Sequence, residues 1–88
     1  MRAKRTDQNQ AGLIRDLRTA GFSVADTSSV GKGFPDLVIA RNGRTLLVEV
    51  KTKKGQLRQS QRDFIAGWSA GVIVAKTVWD VINEWEDF

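Results

Sequence analysis

The chain has 88 residues, 41% of them hydrophobic and 27% charged, with a net charge of +4; this length and balance fit one small soluble globular domain and not a disordered chain. With no Cys, His or Tyr, disulfides, thiol catalysis, imidazole bases and zinc held by His or thiolate are excluded, leaving carboxylates, Lys, Arg, hydroxyls or a hard metal ion as the available chemistry. No apolar run nears the ~18 residues of a membrane span and no signal peptide is visible, so a cytoplasmic protein is expected.

In chain order, residues 1–6 read as a basic arm (Arg2, Lys4, Arg5), with Arg5 placed to touch phosphate, and residues 7–88 as a single domain. Asp7 and Gln10 have the spacing of a capping box. They open a helix whose inner stripe is Leu13, Ile14, Leu17 and Ala20, with Gly21 as its stop. Phe22–Ala25 reads as a short strand, and Thr27–Gly33 as a Ser/Gly loop. Two β-rich runs follow, Asp36–Arg41 and Arg44–Lys51, joined by Asn42-Gly43, the signature of a type I′ hairpin.

Lys53–Gly55 is a basic loop, and Leu57, Gln61, Phe64, Ile65 and Trp68 mark a second helix ending near Gly71. Val72–Ala75 is a short apolar strand. Thr77 and Asp80 cap a last helix with Val78, Val81, Ile82 and Trp85 on its inner face. Trp68 and Trp85 are expected in the core, and Trp79, off the apolar stripe, in a subunit interface. The order is α-β-β-β-α-β-α. A right-handed crossover makes the last strand parallel to the third, giving a mixed sheet flanked by helices.

Charge is unevenly spread. Residues 1–62 carry 13 of the 14 Lys/Arg against five Asp/Glu, whereas residues 63–88 carry Lys76 against five acids. A polyanion-binding face and a merely solvated basic surface both fit this pattern.

The hairpin register has a chemical consequence. If Asn42-Gly43 is the loop, Arg41 faces Arg44 and Asp36 falls opposite Glu49, both acids on one face with Lys51 two residues along. Like charges directly opposite are destabilising and need a reason in strands this apolar. One reason is a hard divalent cation, Mg²⁺ or Mn²⁺, held by the two carboxylates, with Lys51 beside it to stabilise charge on a phosphate. The other is structural: a Glu49–Lys51 ion pair at a sheet end with Asp36 solvated.

Two glutamines lie on inward helical stripes and need partners. For Gln10 these are helix capping or a site ligand, and for Gln61 a nearby loop or the site. Lys32, Lys53, Lys54, Arg58 and Arg62 surround the acid pair in sequence and suit phosphate docking. Gly31 and Gly33 could admit a close backbone strand or simply form a flexible turn before Pro35.

Gly33-Phe34-Pro35-Asp36-Leu37, then Glu49-Val50-Lys51, then Gln61 in a following helix, resemble the PD-(D/E)XK nuclease superfamily. Within it the resemblance is to the compact VRR-NUC nucleases, which include Holliday-junction-resolvase-like enzymes, and it runs over residues 6–86. It implies an α/β restriction-endonuclease-like core and Mg²⁺-dependent hydrolysis of DNA phosphodiesters, structure-selective on branched DNA. It further implies Asp36, Glu49 and the Val50 carbonyl as metal ligands, Lys51 as the catalytic lysine, Gln61 beside the site, and a homodimer in which each protomer cuts one strand. Many members carry an acid on the first helix where this chain has Gln10, which offers an oxygen without a charge. A DNA-binding module whose nuclease site has decayed is therefore the alternative. A structural protein using its acidic last helix is a third reading.

Overall fold

A computed structural model describes residues 7–51 and 56–88. The elements are α1 (Asp7–Thr19), β1 (Ser23–Asp26), β2 (Leu37–Arg41), β3 (Arg44–Val50), α2 (Gln59–Gly67), β4 (Val72–Ala75) and α3 (Val78–Trp85), in the expected order. The four strands form one sheet in the order β1-β2-β3-β4. The first two pairings are antiparallel and β3–β4 is parallel.

Local chemistry accounts for the joints. Gly21, at positive φ, ends α1: its N–H donates to the Arg18 carbonyl, and the Phe22 N–H to the Leu17 carbonyl. This is the paired bonding that satisfies the last carbonyls of a helix. Asn42 and Gly43 both take positive φ, as a type I′ turn requires. Arg41 then pairs with Arg44, and every β2–β3 partner follows in the predicted register. The two like charges are tolerated because each guanidinium lies over aromatic rings, Arg41 at 4.2 Å from Phe22 and Arg44 at 4.6 Å from Trp85.

One face of the sheet presents Leu37, Ile39, Val48, Val50, Ile73 and Ala75, all buried. Against them pack Leu13 and Leu17 of α1, and Val81 and Trp85 of α3. The other face carries Val38, Ala40, Val72 and Val74, all half-buried, between the buried Leu47 and Glu49. It lies on the side of α2, a helix without a single buried residue.

Three expectations are corrected. β1 is shifted one residue on, to Ser23–Asp26, because Asp26 pairs with Leu37. The second helix is shorter than its apolar spacing suggested: Leu57 and Trp68 lie just outside it. Trp68 is not core; it is 43% exposed and stacks on Phe64, which meets Phe34 edge-on. The α2 stripe thus covers itself with aromatic contacts instead of entering the core.

Candidate active site

The site lies at one end of the sheet, where β2 begins and β3 ends. The register that pairs Leu37 with Val48 continues outward to bring Asp36 beside Glu49. Asp36 sits just before β2, half-buried, and its Oδ2 accepts from the Val50 N–H at 2.9 Å. Glu49 is 1% exposed. Gln61 Nε2 donates to Glu49 Oε2, while Gln61 Oε1 accepts from the Arg58 N–H at 2.7 Å. That second bond is also half of a capping box that starts α2. One glutamine therefore starts the helix and holds the buried acid.

Burial pushes the Glu49 carboxyl up to about 8, helped by the charge of Asp36 and a hydrogen bond shared with it; nearby Arg58 and Gln61 act the other way. Without a cation, this environment favours the protonated form of Glu49. The structural alternative of a Glu49–Lys51 ion pair is not found: among the described residues the one ion pair is Arg15–Asp16. Lys51 is half-buried. Its N–H donates to the Ala75 carbonyl at 2.7 Å, and its own carbonyl accepts from Asn9 Nδ2 at 3.3 Å. These bonds tie the end of β3 to β4 and to α1.

The Gly31–Gly33 loop has a structural purpose. Gly31, Lys32 and Gly33 all take positive φ, and a Cβ on Gly33 would overlap the backbone carbonyl of Ser60. The glycine lets the loop seat directly against the first turn of α2, which carries Gln61. Lys32 is thereby held in a left-handed conformation unusual for a side-chain-bearing residue. Arg58 and Arg62 are exposed at the start of α2. Lys53, Lys54 and Arg5 lie outside the described residues, as does the side chain of Asp7.

Gln10 is 6% exposed, and its Nε2 donates to Asp26 Oδ1 at 3.0 Å; the side chain of Asp7, with which a cap would form, lies outside the described residues. The same oxygen accepts from the N–H and Oγ of Ser28. Asp26 had no place among the candidate residues. It lies one residue past the expected strand end, and the inward position of Gln10 was the only signal that a partner was required. By the alternation of the strands, Asp26 shares the face of Leu37, whereas Asp36 and Glu49 share the opposite one.

The donor set suits a hard divalent cation. Two carboxyls crowd together at a sheet end, one of them buried so that its charged form is disfavoured beside the other. No group of three or more acids gathers among the described residues. Two carboxylates plus carbonyl, water and phosphate oxygens is a usual complement for Mg²⁺.

The VRR-NUC domain model matches residues 3–70. A solved structure titled "VRR_NUC domain" superposes with a TM-score of 0.66 at 22% identity, covering 98% of this chain and 99% of that one. No curated protein matches. The family match makes this a nuclease-type, DNA-processing domain, and the structural match shows the same fold. The chain belongs to the VRR-NUC family.

Proposed function

We propose that this domain is a divalent-cation-dependent endodeoxyribonuclease, selective for branched DNA such as four-way junctions. The observation that carries this reading is the Asp36–Glu49 pair, with Glu49 buried, bridged to α2 by Gln61, and two residues from Lys51. Asp36, Glu49 and the Val50 carbonyl would hold Mg²⁺ or Mn²⁺. Bound there, the cation would supply a water of lowered pKa and neutralise charge growing on the phosphate.

The chain's own residues have separable tasks. Gln61 fixes the rotamer of Glu49. The Val50 N–H aims Asp36. The Lys51 ammonium offsets negative charge on the phosphoryl oxygens in the transition state. Arg58, Arg62 and Lys32, with Lys53, Lys54 and Arg5 beyond the described residues, are proposed to position the DNA backbone. Gln10 is a weaker candidate ligand, since its amide nitrogen is spent on Asp26.

Action as a homodimer is part of the proposal. Its support is the thinly covered α2 face, where Thr45, Leu46, Leu47, Trp68, Ala70 and Gly71 line a cavity of about 140 Å³ away from the acid pair. Sedimentation of the purified chain checks it, and a monomer at working concentration rejects it.

Asp36→Ala and Lys51→Ala are each expected to lower cleavage of a four-way junction in Mg²⁺ by ~10²–10³-fold or more, from the scale of losing one charge-stabilising group upward, with folding and DNA binding retained. If both variants cut like the wild type, hydrolysis does not occur at this site. If the wild type binds DNA yet yields no products in Mg²⁺ or Mn²⁺, the non-catalytic DNA-binding reading, favoured by an uncharged Gln10, replaces it.

A further inference from the structure

Asp36 and Glu49 are supported by different parts of the chain, and one loop touches both supports. Residues 27–36 join β1 to β2 and end at Asp36. The base of this loop is pinned. The Thr27 N–H donates to the Asp36 carbonyl and Thr27 Oγ1 to the Pro35 carbonyl, both at 2.8 Å, and Pro35 is fully buried. Above it, the Phe34 N–H donates to the Gly31 carbonyl at 3.0 Å and closes the turn.

Two consecutive residues of that turn meet α2. A Cβ on Gly33 would overlap the Ser60 carbonyl and stand 3.3 Å from the Gln61 nitrogen. The Phe34 ring meets Phe64, one helical turn further on, with centroids 5.3 Å apart. No residue of α2 is buried, so the core does not fix the helix in place. Its Gln61 side chain nevertheless has to reach Glu49. Such a bond tolerates only about half an ångström of stretch. Clearing a Cβ at Gly33 would push loop and helix apart by about 1 Å.

Gly31 supplies the contrast. Its φ is 81° against 80° at Gly33, yet nothing stands within 4 Å of a Cβ placed there. Backbone conformation alone accounts for glycine at position 31. At position 33 the close approach of another segment is a second, separate demand.

We infer that Gly33 and Phe34 are positioning residues for the hydrolytic site. Gly33 admits the Ser60 carbonyl, Phe34 props Phe64, and together they set the distance of α2 and so the reach of Gln61 to Glu49. The loop that delivers Asp36 thereby also places the partner of Glu49, and one segment aligns both acids. The inference rests on the nuclease reading proposed above and adds the element that holds its acid pair in step with α2.

The test compares Gly33→Ala, Gly31→Ala and Gln61→Ala in the full chain. Two quantities are read: the affinity of the DNA-free protein for Mn²⁺ by calorimetric titration, and kcat and KM on a four-way junction. Gly33→Ala is expected to weaken Mn²⁺ binding and lower kcat by about 10- to 100-fold, the range for removing a support of a metal ligand, the loss falling on kcat more than on KM. Gln61→Ala should do the same. The double variant Gly33→Ala/Gln61→Ala should lose no more than either single one, because both break one contact. Gly31→Ala carries the same backbone strain and should stay close to the wild type in both readouts. Phe34→Ala leaves the backbone unstrained and carries the same cycle with Gln61→Ala should Gly33→Ala not fold. The inference is overturned if Gly31→Ala loses as much as Gly33→Ala, or if the losses multiply in the double variants. Where the wild type cleaves and Gly33→Ala keeps its Mn²⁺ affinity and kcat, only this inference fails. If the wild type neither binds Mn²⁺ nor cleaves, the nuclease reading fails and this inference goes with it.

Discussion

The two faces of the sheet are assembled differently. On the α1/α3 face, strand and helix side chains interdigitate, and six of the strand residues there are buried. On the α2 face, the cover is a nine-residue helix with no buried residue, propped by Phe34, Phe64 and Trp68 stacking on one another. Yet that thinly covered face holds the most deeply buried acid, Glu49. The core is concentrated on one face, and the proposed chemistry lies on the other, where packing is thinner.

A matched pair of isoleucines tests this directly. Ile73, in β4, is fully buried; Ile65, in α2, is half-buried. Ile73→Ala should cost about 2–5 kcal/mol, transfer and cavity terms together. For a domain of this size that is much of a total stability of roughly 5–10 kcal/mol. Ile65→Ala should cost about 1 kcal/mol or less, because the side chain is only partly withdrawn from water. Urea melts with unchanged m-values would read both. Equal losses would mean that α2 is as much part of the core as α3.

The second comparison turns on pH. The carboxyl of Glu49 moves from 4.5 up to about 8 on folding, chiefly through burial. A raised carboxyl pKa means the folded state holds the proton more tightly than the unfolded one. Its contribution to stability is fully present below pH 4.5 and is lost as pH rises through about 8. Without divalent cation, the wild type should therefore melt at progressively lower temperature from pH 5 to pH 9. Glu49→Gln, which keeps the shape and cannot ionise, should flatten that slope. At pH 9 it should exceed the wild type by on the order of a few kcal/mol while losing cleavage. Mg²⁺ or Mn²⁺ should raise the melting temperature of the wild type most at the alkaline end, where no proton need be displaced, and should leave Glu49→Gln nearly unchanged. Parallel pH profiles for the two proteins would remove Glu49 from the list of acids strained by burial.

How much of this was legible beforehand depended on the range of the interactions. The Asn42-Gly43 turn is local, and a two-residue loop leaves one register, so the meeting of Asp36 with Glu49 followed from counting. The role of Gln61 was half legible: its spacing marked an inward position, but its double use as cap and acid partner required knowing that α2 starts at Gln59. The partner of Gln10 was not legible, because a capping box is a local pattern while Asp26 arrives through the tertiary fold. Trp68 failed for a related reason. Helical periodicity identifies an apolar side, not whether enough neighbours exist to bury it, and α2 packs largely against its own aromatics. The Gly31–Gly33 loop looked like a turn; that its backbone seats on Ser60 depends on the position of a helix far along the chain.

The smallest expected effect lies at Asp80, the opposite of Glu49 in every respect. It stands toward solvent at the start of α3, and its carboxylate takes the backbone N–H groups of Lys76 and Thr77, which hold its pKa below the usual 3.8. A lowered carboxyl pKa contributes stability that is present above pH 3.8 and is lost as pH falls through the folded value. Asp80→Asn should cost about 0.5–1 kcal/mol near pH 7, the worth of a charged cap at a solvent-screened helix start. The gap to the wild type should close as the pH falls below 3.8 and through the folded value, and cleavage should be unaffected. The two carboxyls thus tilt the pH profile in opposite directions from opposite sides of the sheet, so the double variant Glu49→Gln/Asp80→Asn should show the two single effects added. Additivity is expected because the residues share no partner. A sizeable coupling between them would show that the first turn of α3 and the acid pair answer to one another across the end of the sheet.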